Sequence, residues 1–257
     1  MFAPRVPNLG ALIQSAFIVC ALAFGAIWPA SAQTDLDRSE IESIVREYIL
    51  ENPEIIRDAF QELERRQLAE QEQQQRNAIV ANADALFRGE NALVGGNPDG
   101  DVTLVEFFDY NCGFCKRALG DLKDLIASDP NLRVVYKEWP FLGPDSVEAA
   151  RVSLAVSKQG RYSEFHDALL SQRGQANSAR AMEIAEALGF DMDQLRTDMD
   201  APEVVNTLEQ TMFLAQTIGV TGTPSYVIGD QLIMGAQGFS ALKDAVDTVR
   251  TEGCVAC

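Results

Sequence analysis

From Ser39 to about Gln75 the apolar residues Ile41, Ile44, Val45, Tyr48, Ile49, Ile55, Ile56, Ala59, Phe60 and Leu63 recur at spacings of three and four. That period predicts an amphipathic helix. Ser39 with Glu42 three residues on reads as a capping box opening it. Asn52-Pro53 reads as its end and as the N-cap and first position of a second helix. The stretch "ERRQLAEQEQQQRN" (64–77) continues the helix with few apolar residues, so its far end is expected in solvent. The segment holds a strong apolar stripe and no second element to bury it. It is therefore expected to pack against copies of itself, or else to fold back on the next domain.

From Leu93 onward the pattern changes to strands alternating with helices, which predicts an α/β sheet. Residues 102–108 and 132–139 read as strands flanking a helix over 112–128. Helical segments follow at 145–160, 161–171, 178–188 and 202–219. Two short strands, 225–228 and 231–234, are joined by a tight turn at Gly229-Asp230, and a last helix spans 240–250. No internal repeat is visible.

Composition sets the chemical setting. The chain has 257 residues, 5 Cys, 1 His and a formal net charge of -17. Arg5 ahead of an apolar run from Leu9 to Trp28, ending in Ala30-Ser31-Ala32, has the form of a cleaved export signal over residues 1–32. A mature chain starting at Gln33 would sit in an oxidising compartment, the periplasm, with no membrane span left. Its strongly acidic balance argues against nucleic acid and anionic membrane surfaces as partners.

"FFDYNCGFCKRAL" (107–119) places Cys112 and Cys115 after a strand and at the start of a helix. A four-cysteine zinc site would have to join distant segments, Cys254 and Cys257 being the other candidates. A purely structural disulfide between residues three apart removes little unfolded-chain entropy. A helix N-terminus, by contrast, offers unpaired N–H groups and a dipole that stabilise an anion. Cys112 is the candidate thiolate and Cys115, one turn further in, the resolving thiol. A free thiol is only about 3% ionised at pH 7, whereas a CxxC thiol brought down to roughly 4 to 7 is half to almost fully ionised. Gly113 and Phe114 bring neither charge nor side-chain donor.

"CGFC" after a strand, with "GVTGTPSYVIGD" far downstream, resembles thioredoxin-fold thiol:disulfide oxidoreductases of the DsbA-like group. The resemblance covers about Leu93 to Arg250. It implies a thioredoxin fold with a helical insertion at about 145–219, following a helical arm and linker at 33–90, with a short tail at 251–257. It implies that Pro224 is cis beside the cysteines, that Thr223 presents its backbone to an extended client, and that Gly113 and Phe114 complete the client surface. Glu106 matches a partly buried acid below the active site, able to relay the proton of Cys115, and Lys137 matches that acid's basic neighbour. His166 is read as a packed helix residue, and Trp139 and Phe141 as core or groove wall.

DsbA-type oxidases carry a His in the central dipeptide, where this chain has Gly-Phe. Its "CGFC", its Thr before the proline and the arm "IVREYILENPEIIRDAFQELERRQ" resemble the DsbC and ScsC isomerases instead. The resemblance implies a homo-oligomeric isomerase or reductase that acts on misoxidised or unfolded exported proteins and draws electrons from a membrane thiol:disulfide donor, with no cofactor and no resident metal. Net oxidase, copper-binding or copper-tolerance protein, and chaperone or scaffold are the rivals. The terminal "CVAC", Cys254 to Cys257, lies outside the family pattern and reads as a terminal disulfide, a second redox relay or a soft-metal clip.

Overall fold

The computed structural model describes residues 37–89 and 92–254. The expected export signal (1–32) and Cys257 lie outside the described residues. The chain divides into two compact units, residues 1–59 and 60–257.

In the first unit α1 (Arg38–Glu51) precedes the start of α2 (Glu54–Ala81). The expected capping box does not form. Asp37 takes the N-cap position with extended backbone, and its carboxylate accepts the Ser39 hydroxyl at 2.8 Å. Asn52 closes α1, donating its amide to the Tyr48 carbonyl at 2.9 Å. No residue of α1 is buried, and Ile41, Ile44, Val45 and Tyr48 keep their apolar surface open.

The second unit is built on a five-stranded sheet, ordered β1-β3-β2-β4-β5. The strands are β1 (Leu93–Gly96), β2 (Val102–Phe108), β3 (Leu132–Glu138), β4 (Ser225–Ile228) and β5 (Gln231–Met234). β2 and β3 run parallel, joined by α4 (Gly113–Ser128), and the other pairs are antiparallel. Every residue of β2 is buried, because side chains leave a strand on alternate faces and both faces here are covered. Leu104 and Phe108 face one layer with Leu122 of α4 and with Leu242 and Val246 of α10 (Phe239–Glu252). Val105 and Phe107 face another with Ile79, with Leu86 of α3 (Ala83–Phe87), with Leu214 of α9 (Pro202–Thr217) and with Ile218, which caps that helix. Fully burying such a side chain contributes about 1.5–3 kcal/mol, so β2 anchors the fold. Residues 79–87, read from the sequence as arm and linker, thus cover one face of the sheet.

The insertion comprises α5 (Pro144–Ser157), α6 (Tyr162–Leu170), α7 (Ser178–Ala187), α8 (Met192–Met199) and α9. The sequence pattern missed β1, α3 and α8. β1 is half glycine, and α8 sends only Leu195 and Asp198 inward, so neither carries a periodic signal. Among the described residues no helix is long and apolar enough to cross a membrane.

Candidate active site

The site forms where β2 ends and α4 begins. Asp109 turns the chain: its buried carboxylate accepts the Asn111 N–H at 2.7 Å, the Ser146 hydroxyl at 2.8 Å and the Leu142 N–H at 3.0 Å. Cys112 is the N-cap of α4, and its sulfur accepts the Cys115 N–H at 3.3 Å. This is the cap that serine or aspartate supplies elsewhere, made here by a thiol. Its S–H donates to the Thr223 carbonyl at 3.2 Å, across the chain from a loop whose Thr223–Pro224 peptide is cis. Pro224 directly precedes β4, and its carbonyl accepts the Gly235 N–H at 2.8 Å. Cys112 and Cys115 are both free thiols and both buried.

The two thiols differ in acidity. Hydrogen bonding from Cys115 pulls the Cys112 pKa down to about 5; burial opposes this, and the Thr223 side chain and the N–H groups of Cys115 and Phe114 assist. Burial, the hydrogen bond to Cys112 and the negative charge of Glu106 push Cys115 far above the thiol range. One cysteine is a thiolate at neutral pH and its partner holds its proton.

Glu106 is buried on the face of β2 that bears the cysteines, opposite Tyr226 in the β2–β4 register. Burial raises its pKa to about 8, the Tyr226 hydroxyl pulling the other way and the charge of Cys112 adding to the rise. Glu106 Oε2, Tyr226 Oη and Thr223 Oγ1 are all buried without a well-aligned hydrogen bond. Unpartnered polar atoms in a core are costly and mark places where protons or ligands come and go. Tyr226 was missed from the sequence; the antiparallel pairing of "SYVI" with "VEFF" is the signal that places it there.

Lys137 does not belong beside Glu106. It pairs in register with Phe107, so its side chain leaves on the other face, where its ammonium donates to the Ala85 carbonyl at 2.7 Å. Burial, and then the charge of Arg133, lower its pKa to about 8. The alternation of a strand overrides the expected acid–base pair.

Phe114 is 59% exposed, with the Arg117 guanidinium 4.2 Å from its ring centre. A Cβ at Gly113 would meet only Arg117, at 3.7 Å. Trp139 and Phe141 stack at 4.6 Å, Trp139 against the sheet and Phe141 open to solvent. His166 is buried, 3.3 Å from Tyr110 Oη, and burial lowers its pKa to about 3. It joins Tyr110, Tyr162 and Ser153 around Glu138, whose carboxylate accepts from Ser153 at 2.6 Å and Tyr162 at 3.0 Å. Cys254 is disulfide-bonded and packs against the main core, while Cys257 lies outside the described residues.

Residues 103–247 match the DSBA-like thioredoxin domain, and residues 37–70 match the copper resistance protein ScsC N-terminal domain. A thioredoxin-like oxidoreductase from Silicibacter pomeroyi DSS-3 is 50% identical, with 65% of this chain and 97% of that one covered and a TM-score of 0.64. Proteus mirabilis ScsC in a transitional conformation is 26% identical, with 86% and 99% covered and a TM-score of 0.63. Among curated relatives, the Na(+)/H(+) antiporter NhaA 3 of Salinispora tropica is 28% identical over 155 residues, which span 60% of this chain and 24% of the antiporter. The cysteine pair at the head of α4, the sheet order and the match over residues 103–247 agree: the chain belongs to the family of DSBA-like thioredoxin-domain proteins.

Proposed function

We propose that this protein exchanges disulfides with exported client proteins, and that it works as an isomerase or reductase rather than as a net oxidase. The observation that carries the reading is the asymmetry of the pair: an acidic N-cap thiol at Cys112 and a buried, proton-holding thiol at Cys115.

The Cys112 thiolate attacks one sulfur of a client disulfide. A Cys112–client disulfide forms, the client S–S bond breaks, and the other client sulfur leaves as a thiolate. In isomerisation that client thiolate attacks a second client disulfide, and a further client thiol then releases Cys112 unchanged. In reduction Cys115 loses its proton towards Glu106 and attacks Cys112 Sγ. The client then leaves with two more electrons and the pair is left as a disulfide. Thr223 and Pro224 bind the client backbone in this reading, and Gly113 and Phe114 lie against it.

The chemistry favours a reducing direction through two features. No cation sits between the cysteines, and the relatives named above include an ScsC protein aligned along the arm as well as the domain. The open apolar stripe of α1 fits association of several copies, each holding a site toward a shared client. Periplasmic location, a membrane electron donor and residues 33–90 as an oligomerisation arm belong to the same proposal. A copper-handling role is the second reading, favoured by the match of residues 37–70 to a domain named for copper resistance.

The test is reactivation of a scrambled-disulfide client by the reduced protein without added oxidant, beside a form that lacks residues 1–59. Reactivation that weakens in the shortened form supports an arm-dependent isomerase. No reactivation by either form overturns the isomerase reading.

A further inference from the structure

Asn111 and Lys116 flank the redox pair, and both reach the same loop of the insertion, residues 172–176 between α6 and α7. Asn111 pairs with the backbone of Ala176 through both ends of its amide: Nδ2 donates to the Ala176 carbonyl at 2.8 Å, and Oδ1 accepts the Ala176 N–H at 2.7 Å. Its second amide hydrogen goes to the Ser146 hydroxyl at 2.9 Å, which in turn donates to Asp109. Three of the four hydrogen-bonding positions of that amide are therefore used inside the protein. Lys116, one turn into α4, donates to the carbonyls of Gln172 at 2.8 Å and Gly174 at 2.9 Å. Among the described residues it makes no ion pair, and its ammonium is held by two carbonyls of one loop.

We infer that Asn111 and Lys116 are positioning residues for disulfide exchange, clamping the segment that carries Cys112 to the 172–176 loop so that the Cys112 sulfur stays on the Cys115 N–H. The inference rests on the exchange reading above and adds to it a role for the insertion: the loop acts through its backbone, as an anchor for the head of α4. The Cys112 thiolate depends on the Cys115 N–H, 3.3 Å from its sulfur, a bond that weakens steeply with small displacements. Freeing either flank lets the cap widen, with less stabilisation of the thiolate and hence of the reduced pair.

The molecule supplies its own control. Gln159 makes the same two-bonded amide pairing with the backbone of Asp191, at 3.1 and 2.9 Å, elsewhere in the insertion. In the full chain, Asn111→Ala and Gln159→Ala are compared by thiolate absorbance of Cys112 against pH and by equilibration of the Cys112–Cys115 pair with glutathione. Asn111→Ala should raise the thiolate midpoint by half a pH unit or more. It should also lower the equilibrium constant for glutathione oxidation by the pair about three- to tenfold, or roughly 15 to 30 mV. Gln159→Ala should lower the melting temperature while leaving both readouts in place. Lys116→Met, which keeps the aliphatic stem, should act in the same direction as Asn111→Ala and serves if that variant does not fold. Equal behaviour of the Asn111 or Lys116 variant and Gln159→Ala in both readouts overturns the inference. A parent pair that never equilibrates with glutathione is a different failure, that of the exchange reading itself.

Discussion

Glu106 stands directly opposite Tyr226 in the antiparallel β2–β4 ladder, and both end in buried oxygens that lack a well-aligned partner. A carboxyl with its pKa near 8, on the face that bears Cys115, is poised to take a proton at neutral pH and to return it. Glu106→Gln should slow the attack of Cys115 on a Cys112-linked peptide at pH 7 by at least about tenfold, within the usual worth of a general base. Lys137→Met, on the other face of the sheet, should leave that rate within about twofold. Stopped-flow release of the peptide checks both.

Alkylation of the reduced protein should follow the thiolate of Cys112. Its rate is expected to rise with pH through a midpoint near 5 and then level off, with Cys115 unmodified across that range. Quenched labelling followed by mass mapping of the two cysteines separates them. A single midpoint near that of a free thiol would contradict the asymmetry.

Stability should depend on pH differently in the two redox states. Glu106 and Glu138 have folded pKa values raised to about 8 from 4.5, so their protonated forms support the fold below pH 4.5, and that support drains as pH rises toward 8. The oxidised protein should therefore melt at a lower temperature at pH 8 than at pH 5. In the reduced protein Cys112, depressed from 9.0 to about 5, adds stability that is complete above pH 9 and is lost as pH falls through 5. The gap in melting temperature between reduced and oxidised forms should widen as pH rises, and Glu106→Gln should flatten part of the oxidised profile.

Phe114→His places a titratable donor beside Cys112 in an exposed position where the ring has room. A nearby cation favours the thiolate, so the Cys112 midpoint should fall by about one unit and the pair should become a stronger oxidant. Glutathione equilibria of the two proteins measure it.

The sequence carried the strand–helix head of the site because its signals are local: an apolar run, two cysteines one turn apart and a downstream Thr-Pro. Cys112 as an N-cap and Thr223 against its sulfur follow from that arrangement. Side-chain direction was harder to read. The family resemblance pairs Lys137 with the acid of the neighbouring strand, and only the β2–β3 register shows that Glu106 and Lys137 leave the sheet on opposite faces. Tyr226 and the Asn111–Ala176 pairing join residues far apart in the chain, so no periodicity reports them. In residues 79–87 the apolar Ile79, Leu86 and Phe87 are too few and too widely spaced to announce the sheet face they cover.

The most direct test of the account is trapping. The Cys115→Ser protein, mixed with a peptide disulfide, should accumulate a covalent adduct through Cys112, and Cys112→Ser should accumulate none. Adduct formation through Cys115 in the Cys112→Ser protein, or no adduct in either, would contradict the assignment of Cys112 as the attacking thiol.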